Sequence, residues 1–189
     1  MKELSKFLPA ENKNRGDPNL LLEVTDKVSE AHDNLWLKHK DKLKLAVVRD
    51  KQYFDWRYSR HPKENYRFLS VSKTGVLVAS IAFRERWIET ESHKTKDFIL
   101  MDLVTDYSDL ENLENIILCV ETKIRNYGFS RMIARFPGNH RLSALFTSKL
   151  DYVEIETNQT AVGIVFKLPY LQNFSNSSFF YTLGDWDVL

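Results

Sequence analysis

Four stretches of the chain carry residue types that could do chemistry. The first is Asp102, set between Met101 and Leu103 in the apolar run "DFILMDLVT". Burial disfavours the anion, so such a carboxylate has a raised pKa and can act as a general base toward an amine. The other reading is structural: Asp102 pairs with an arginine or caps a neighbouring turn. The second stretch is the joint that follows, Thr105-Asp106-Tyr107-Ser108-Asp109-Leu110. Strand-to-helix joints can hold a phosphate on the helix N-terminus, and they normally use glycine so that amides can approach the anion. This joint has two aspartates and no glycine, and aspartate at a helix start already satisfies the positive end of the dipole.

The third stretch is Trp56-Arg57-Tyr58. Arg57 could grip a carboxylate or phosphate while Tyr58 stacks on a substrate. Alternatively, Trp56 turns inward to fill a core and Arg57 sits in a salt bridge. The fourth is Gly184-Asp185-Trp186-Asp187, where Asp185 could offer a carboxylate to an amine substrate. It reads equally as a last strand pinned by Phe179, Phe180 and Trp186.

Composition removes several classes. The 27 basic and 26 acidic residues give a net charge of +1, which argues against binding nucleic acid through phosphate neutralisation. Cys119 is the single cysteine, so neither an intrachain disulfide nor a cysteine-based zinc site can form; its apolar neighbours predict a buried thiol. The five histidines show no metal-ligand spacing, so no metal is expected. There is no apolar run of membrane-spanning length and no signal-peptide pattern, which leaves a cytoplasmic protein as the expectation and no membrane partner. Neither Gly-x-Ser-x-Gly nor a Cys/His pairing is present, so hydrolase chemistry lacks support.

The elements that must position these residues follow from periodicity and punctuation. Residues 1–18, polar and broken by Pro9, Gly16 and Pro18, read as a tail or linker, with one domain over 19–189. "LLLEV" at 20–24 reads as a strand, and Ala31, Leu35 and Trp36 sit at helical spacing. "KQYFDWRYSRHP" reads as a short helix stopped before Pro62. "YRFLSVS" and "VLVASIAFRERWI" flank Lys73-Thr74-Gly75 as a hairpin. Residues 97–105 read as a central strand. Ser108-x-x-Glu111 fits a capping box for the next helix, whose stripe of Leu110, Leu113, Ile117, Val120 and Ile124 ends at Asn126-Tyr127-Gly128. "RMIARF" is a strand parallel to 97–105, Pro137-Gly138-Asn139 a turn, "HRLSALFTSKL" a helix, and "YVEIET" with "AVGIVFKLP" a final strand pair.

This order resembles the GNAT acyltransferase fold: an α/β (α+β), mainly antiparallel central sheet with a parallel pair at its centre and helices on both faces. Leu35-Trp36, "VVRDKQYFDWRYSRHP", "ILMDLVTDYSDLENL", "LFTSKLDY" and the ending "FFYTLGDWDVL" resemble blocks of the C-terminal lobe of two-lobed bacterial GNAT-family proteins. The resemblance implies an acyl-CoA (acetyl-CoA) donor beside the strand, along the backbone of Leu103 and Val104, with Ser108, Asp109, Leu110 and Asn139 as further donor contacts. It implies N-acylation of a small-molecule amine, with an amino sugar among the candidates, and a partner in the form of a missing N-terminal lobe or a second copy. Departures accompany it. The family's Arg/Gln-x-x-Gly-x-Gly/Ala loop is replaced by Asp106-Tyr107-Ser108-Asp109-Leu110, its tyrosine acid falls at Thr147, and its Gly-aromatic pair at Asp151-Tyr152. A non-catalytic lobe, serving as acceptor-site scaffold or interaction module, therefore stands beside the enzyme reading.

Overall fold

The computed structural model describes residues 2–8, 16–43, 45–89, 94–136, 141–155 and 179–180. Seven strands form one sheet: β1 (Lys2–Phe7), β2 (Leu20–Thr25), β4 (Tyr66–Lys73), β5 (Val76–Glu89), β6 (Lys94–Thr105), β7 (Arg131–Phe136) and β8 (Val153–Ile155). Their spatial order is β2-β4-β5-β6-β7-β1-β8. Every neighbouring pair is antiparallel except β6 and β7. A separate short pair joins β3 (Leu45–Ala46) to β9 (Phe179–Phe180) in parallel. The helices are α1 (Ala31–His39), α2 (Lys51–Phe54), α3 (Leu110–Asn126) and α4 (Arg141–Ser148). No helix among the described residues is long and apolar enough to cross a membrane.

Helices lie on both faces of the sheet. On one face Leu113, Ile116, Ile117, Val120 and Ile124 of α3 and Leu142 and Phe146 of α4 share one apolar cluster with Phe98, Leu100 and Leu103 of β6, Phe146 lying against Phe136 of β7. On the other, Leu35 and Trp36 of α1, Phe54 of α2 and Tyr58 pack on Ile99, Met101 and Val104. Strand periodicity alone would put Leu100 and Leu103 on opposite faces. A bulge settles this: Ala82 faces Asp102 and Phe83 faces Leu100, leaving Met101 as the extra residue of β6. The inserted residue shifts the alternation by one and turns Asp102 toward α1 and α2.

The hairpin, the parallel β6–α3–β7 unit and the end of α3 follow the sequence reading. Thr74 and Gly75 take φ of 48° and 80° at the hairpin turn, and Gly128 takes 81° just past α3. Three expectations need correction. Residues 2–7 are no tail: β1 runs between β7 and β8 and buries Leu4 completely. Its charges hid it, because they are matched across elements, Lys6 Nζ lying 3.0 Å from Glu121 Oε2 on α3 and Glu3 pairing with Arg135. Helix α3 is capped by Asp109, which accepts from the Asn112 amide at 3.0 Å, not by Ser108. The Cys119 thiol is half-buried and donates to the Asp17 carbonyl at 3.4 Å. The expected strand at 161–169 lies outside the described residues.

The Asp17 carboxylate ties this N-terminal segment to the sheet. It accepts from the Lys73 ammonium, the Asn19 amide and the Asn19 side chain, and these bonds hold its pKa at about 2. Just before it, Gly16 has φ +94° and lies against α3, where a Cβ would overlap Cys119 Sγ and sit 2.7 Å from the Asn115 carbonyl. Gly16→Ala should therefore lower unfolding free energy by about 1–3 kcal/mol, read as a lower urea midpoint at unchanged slope. A denaturation curve that overlays the parent would show that this segment is not seated on α3.

Candidate functional site

The site is built around the point where the parallel strands part. The β6–β7 ladder has three rungs, Asp97↔Arg131, Phe98↔Met132 and Ile99↔Ile133. Asp97 clamps its closed end, taking 3.0 and 2.7 Å bonds from Arg131 and a 2.9 Å bond from Arg86 Nη2. Beyond Ile99, β6 continues to Thr105 beside β5 without a β7 partner, while β7 pairs with β1 on its other side. Backbone groups on that length of β6 need other partners. The Leu103 amide donates to Asp102 Oδ1 at 3.0 Å, and the Leu103 carbonyl accepts from the Tyr107 hydroxyl. Tyr107 is buried in the apolar cluster beside it.

Asp102 is fully buried and pairs with fully buried Arg49, Nε to Oδ1 at 2.7 Å. Its second oxygen accepts from the Tyr58 hydroxyl at 3.1 Å. Both carboxylate oxygens thus have donors inside the protein, and the arginine alternative for Asp102 is the geometry found. Burial, with the Asp102 charge beside it, pushes the Tyr58 phenol well above its ordinary range. Arg49 is held in turn: its Nη1 donates to the Val47 carbonyl at 2.9 Å, and its carbonyl accepts from His32 Nε2 on α1 at 2.7 Å. A carbonyl only accepts, so Nε2 carries a proton; Nδ1 is buried without a hydrogen-bond partner among the described residues, and burial lowers the pKa of the ring. The Asp33 carboxylate on the same helix takes the Lys51 amide at 2.6 Å.

Tyr58 reaches Asp102 through an irregular helix end. Residues Asp55–Ser59 form a π-helical turn, closed by the Arg60 amide on the Asp55 carbonyl at 3.0 Å. Tyr58 stands four residues after buried Phe54 and shares its face. Tyr58 points inward, whereas Trp56 is 65% exposed. The expectation that Trp56 fills the core is therefore corrected, and Arg57 and Tyr58, predicted to work together, face different surroundings. Half-buried Arg57 lines a surface hollow with Trp56, Arg60, His61 and Pro62.

At the β6–α3 joint, carboxylates take the Ser108 and Asn112 amides. Asp106 Oδ1 accepts from the Ser108 amide at 2.9 Å and the Ser108 hydroxyl at 2.5 Å, while Oδ2 takes Lys42 Nζ at 2.6 Å. Partial burial works to raise the Asp106 pKa, but the bonds from Lys42 and Ser108 outweigh it and hold the carboxyl well below the carboxylate range. His39 lies 3.6 Å from Asp106, and burial pushes its pKa down. Val104 is buried in the sheet, Leu110 begins α3 half-exposed, and Ser108 and Asp109 are exposed. In α4, Thr147 donates to the Ser143 carbonyl at 3.0 Å, and Asp151 adopts φ 60° where the resemblance has glycine. Asn139 and Asp185 lie outside the described residues.

Sequence reasoning missed Arg49, His32 and Tyr107. A buried acid on a central strand asks for a buried cation, and Arg49 between the apolar Val47-Val48 pair and Asp50 was the available signal.

The fold is GNAT-like. A GCN5-related N-acetyltransferase from Anabaena variabilis superposes with a TM-score of 0.55 at 11% identity, covering 82% of this chain and 38% of its own. Saccharomyces cerevisiae N-myristoyltransferase with bound myristoyl-CoA gives 0.51 at 15% identity, covering 79% and 39%. A Staphylococcus epidermidis protein of unknown function gives 0.50 at 14%, covering 82% and 57%. The chain thus spans about two fifths of the first two. No family model matches the chain, and no curated protein matches its sequence.

Two outcomes follow from the buried groups. Asp102→Asn leaves Arg49 buried without its counter-ion and should cost about 3–5 kcal/mol in urea unfolding, whereas the paired Asp102→Leu, Arg49→Met variant should lose clearly less. Equal losses would show that the ion pair is not what holds Asp102 in place. His32 and His39 are both lowered from 6.5 by burial, so the unfolded chain takes up protons that the folded chain refuses. Their contribution is complete above about pH 6.5 and drains as pH falls below it. His32→Gln should flatten the decline of stability between pH 7 and 5; an unchanged slope would mean that His32 protonates in the folded protein.

Proposed function

We propose that this chain is a GNAT-fold lobe of an acyltransferase-type protein that does not hold acyl-CoA at its own strand opening and acts as a non-catalytic scaffold or interaction lobe. The observation that carries this reading is that the open length of β6 is served from within. Leu103 has its amide on Asp102 and its carbonyl on the Tyr107 hydroxyl, so the backbone groups an acyl-CoA arm would use already have partners. At the start of α3, Ser108 and Asn112 amides are bonded to Asp106 and Asp109 carboxylates, and no glycine lets an anion approach. The residues present do not fit a diphosphate group there.

The neighbouring fold supports acyltransferase ancestry in the coarse sense: S. cerevisiae N-myristoyltransferase was solved with myristoyl-CoA. Acylation of an amine by this chain alone would also need a group to take the amine proton. Asp102 is fully buried with both oxygens bonded, and Thr147 donates within its own helix. Neither reaches an acceptor. In this reading acyl-CoA and the amine, including an amino sugar, belong to a further lobe, and Asp102 orders the interior by holding Arg49 and Tyr58.

The test is calorimetric titration of the chain with acetyl-CoA and with desulfo-CoA. The expected result is no saturable heat and an unchanged melting temperature. Binding tighter than about 100 µM, equivalent to about −5.5 kcal/mol, that weakens on adding a carboxylate at Ser108 (Ser108→Asp) would reinstate the joint as a donor site.

A further inference from the structure

Strand β2 pairs with β4 and, among the described residues, with nothing on its other side. Which of its backbone groups face outward follows from the hairpin that ends β4. Thr74 and Gly75 form a two-residue turn, so Lys73 and Val76 close it as a hydrogen-bonded pair, and Lys73 turns its amide and carbonyl toward β5. Leu20, opposite Lys73, therefore points its own groups away from β4. Its amide is indeed found on the Asp17 carbonyl, at 3.1 Å. The β2–β4 register runs without a shift to Thr25↔Phe68, so Leu22 and Val24 turn outward as well. Their amides and carbonyls have no partner among the described residues.

Exposed edges are ordinarily blunted by proline, lysine or a bulge. Leu20–Thr25, with the sequence LLLEVT, carries none of these and a single charge. Leu21 is 71% exposed. On the other face a groove of ≈ 330 Å³ lies between the strand and α3, with Leu20, Leu22, Cys119 and Thr122 in its lining. Open backbone donors and acceptors beside a groove of apolar and small side chains suit an added strand.

The strand that fits is β2 itself. Two copies related by a two-fold axis pair antiparallel, and only in registers that set outward-turned residues opposite each other. Centred on Glu23, the pairing puts two carboxylates face to face. Centred on Leu21, it sets Val24 against the second copy's Pro18, which has no N–H. Centred on Leu22, it sets Leu22 against the second copy's Leu22 and Val24 against the second copy's Leu20. That register employs the free Leu22 and Val24 amides of both copies and places Glu23 opposite the second copy's Leu21. Registers further out lose rungs.

We propose that β2 is a self-association edge, joining two copies into one continuous antiparallel sheet centred on Leu22. Leu22 and Val24, half-buried in each copy, are covered across the joint. Strands β4 and β5 separate this edge from the opening beside β6, so the pairing holds whether or not that opening takes acyl-CoA.

The test is sedimentation equilibrium of the full chain under reducing conditions, with hydrogen exchange read residue by residue. A monomer–dimer equilibrium is expected. The Leu22 and Val24 amides should gain protection as protein concentration rises, while those of Leu21 and Glu23, turned toward β4, are protected throughout. Leu21→Glu sets a carboxylate opposite the second copy's Glu23 at two symmetric places and should weaken the dimer about tenfold. Adding Glu23→Lys to Leu21→Glu should restore it. A chain that stays monomeric at its highest soluble concentration would overturn the proposal. So would a dimer indifferent to Leu21→Glu, or one whose Leu22 and Val24 amides exchange freely, since its interface lies elsewhere. Protection of those amides in a dilute monomer would also overturn it, assigning the edge to another segment of the same chain.

Discussion

A strand edge inside a protein has to be bonded, and β6 loses its neighbour halfway. After Ile99 the β7 ladder stops, and the rest of β6 is buried on both faces. Each unpaired backbone group there would cost about 1–3 kcal/mol if left alone. The Leu103 amide is answered by a carboxylate, which creates a second requirement. A buried anion needs a counter-charge, and Arg49 supplies it at 2.7 Å. Arg49 must then be held from the opposite side, which falls to His32 on α1, while the remaining lone pairs of Asp102 call for Tyr58. The π-helical turn after α2 is the local geometry that brings Tyr58 there. Helices α1 and α2 are thus docked by the consequences of one interrupted ladder.

The bulge at Met101 makes this solution possible. With regular alternation Asp102 would share the face of Leu100, among Phe83, Phe98 and the apolar stripe of α3. The buried members of that cluster among the described residues are apolar or aromatic. One inserted residue moves the carboxylate to the α1–α2 face and leaves both apolar clusters intact. The other buried acids follow the same rule of meeting a base across elements: Asp97 joins β5, β6 and β7, and Glu121 joins α3 to β1. Such pairs add little net stability over apolar packing, yet breaking one partner is costly. Their effect is to make a misdocked element expensive.

What could be read from the sequence was local. The Lys73-Thr74-Gly75 turn, the glycine stop after α3 and the parallel β6–α3–β7 unit depend on propensities and periods that neighbouring residues reveal. What escaped depends on partners distant in the chain. β1 looks like a polar tail because Lys6 and Glu3 find their counter-charges on Glu121 and Arg135, more than a hundred positions away. Ser108 satisfied the pattern of a capping box, but Asp106 captures its hydroxyl and Asp109 takes the cap. Trp56 was read as the inward ring, but Tyr58, four residues after buried Phe54, shares that residue's face and leaves Trp56 outside. For the candidate site, Asp102 was found and its arginine pairing foreseen as one alternative. The identity of Arg49 and the hydroxyl of Tyr107 were not, since both are answers to a gap that exists only once β7 has diverged.

The filling of that gap by Tyr107 sets the terms for any ligand. An acyl-CoA arm could donate to the Leu103 carbonyl only by displacing the phenol, exchanging one hydrogen bond for another of similar worth. Evicting the ring would uncover about 150–250 Å² of aromatic surface, roughly 4–6 kcal/mol at 25 cal/mol per Å². That amounts to about three to four powers of ten in affinity, recovered only as far as the arm covers the same walls. The surplus would have to come from the diphosphate end. There the Asp106 and Asp109 carboxylates take the Ser108 and Asn112 amides, and Lys42 is already paired with Asp106 at 2.6 Å. At water-like dielectric each carboxylate 4 Å from a phosphate charge adds about 1 kcal/mol of repulsion. A tyrosine that closes the strand opening and aspartates that close the helix terminus therefore act in the same direction, and both favour a lobe whose interior is complete without a ligand.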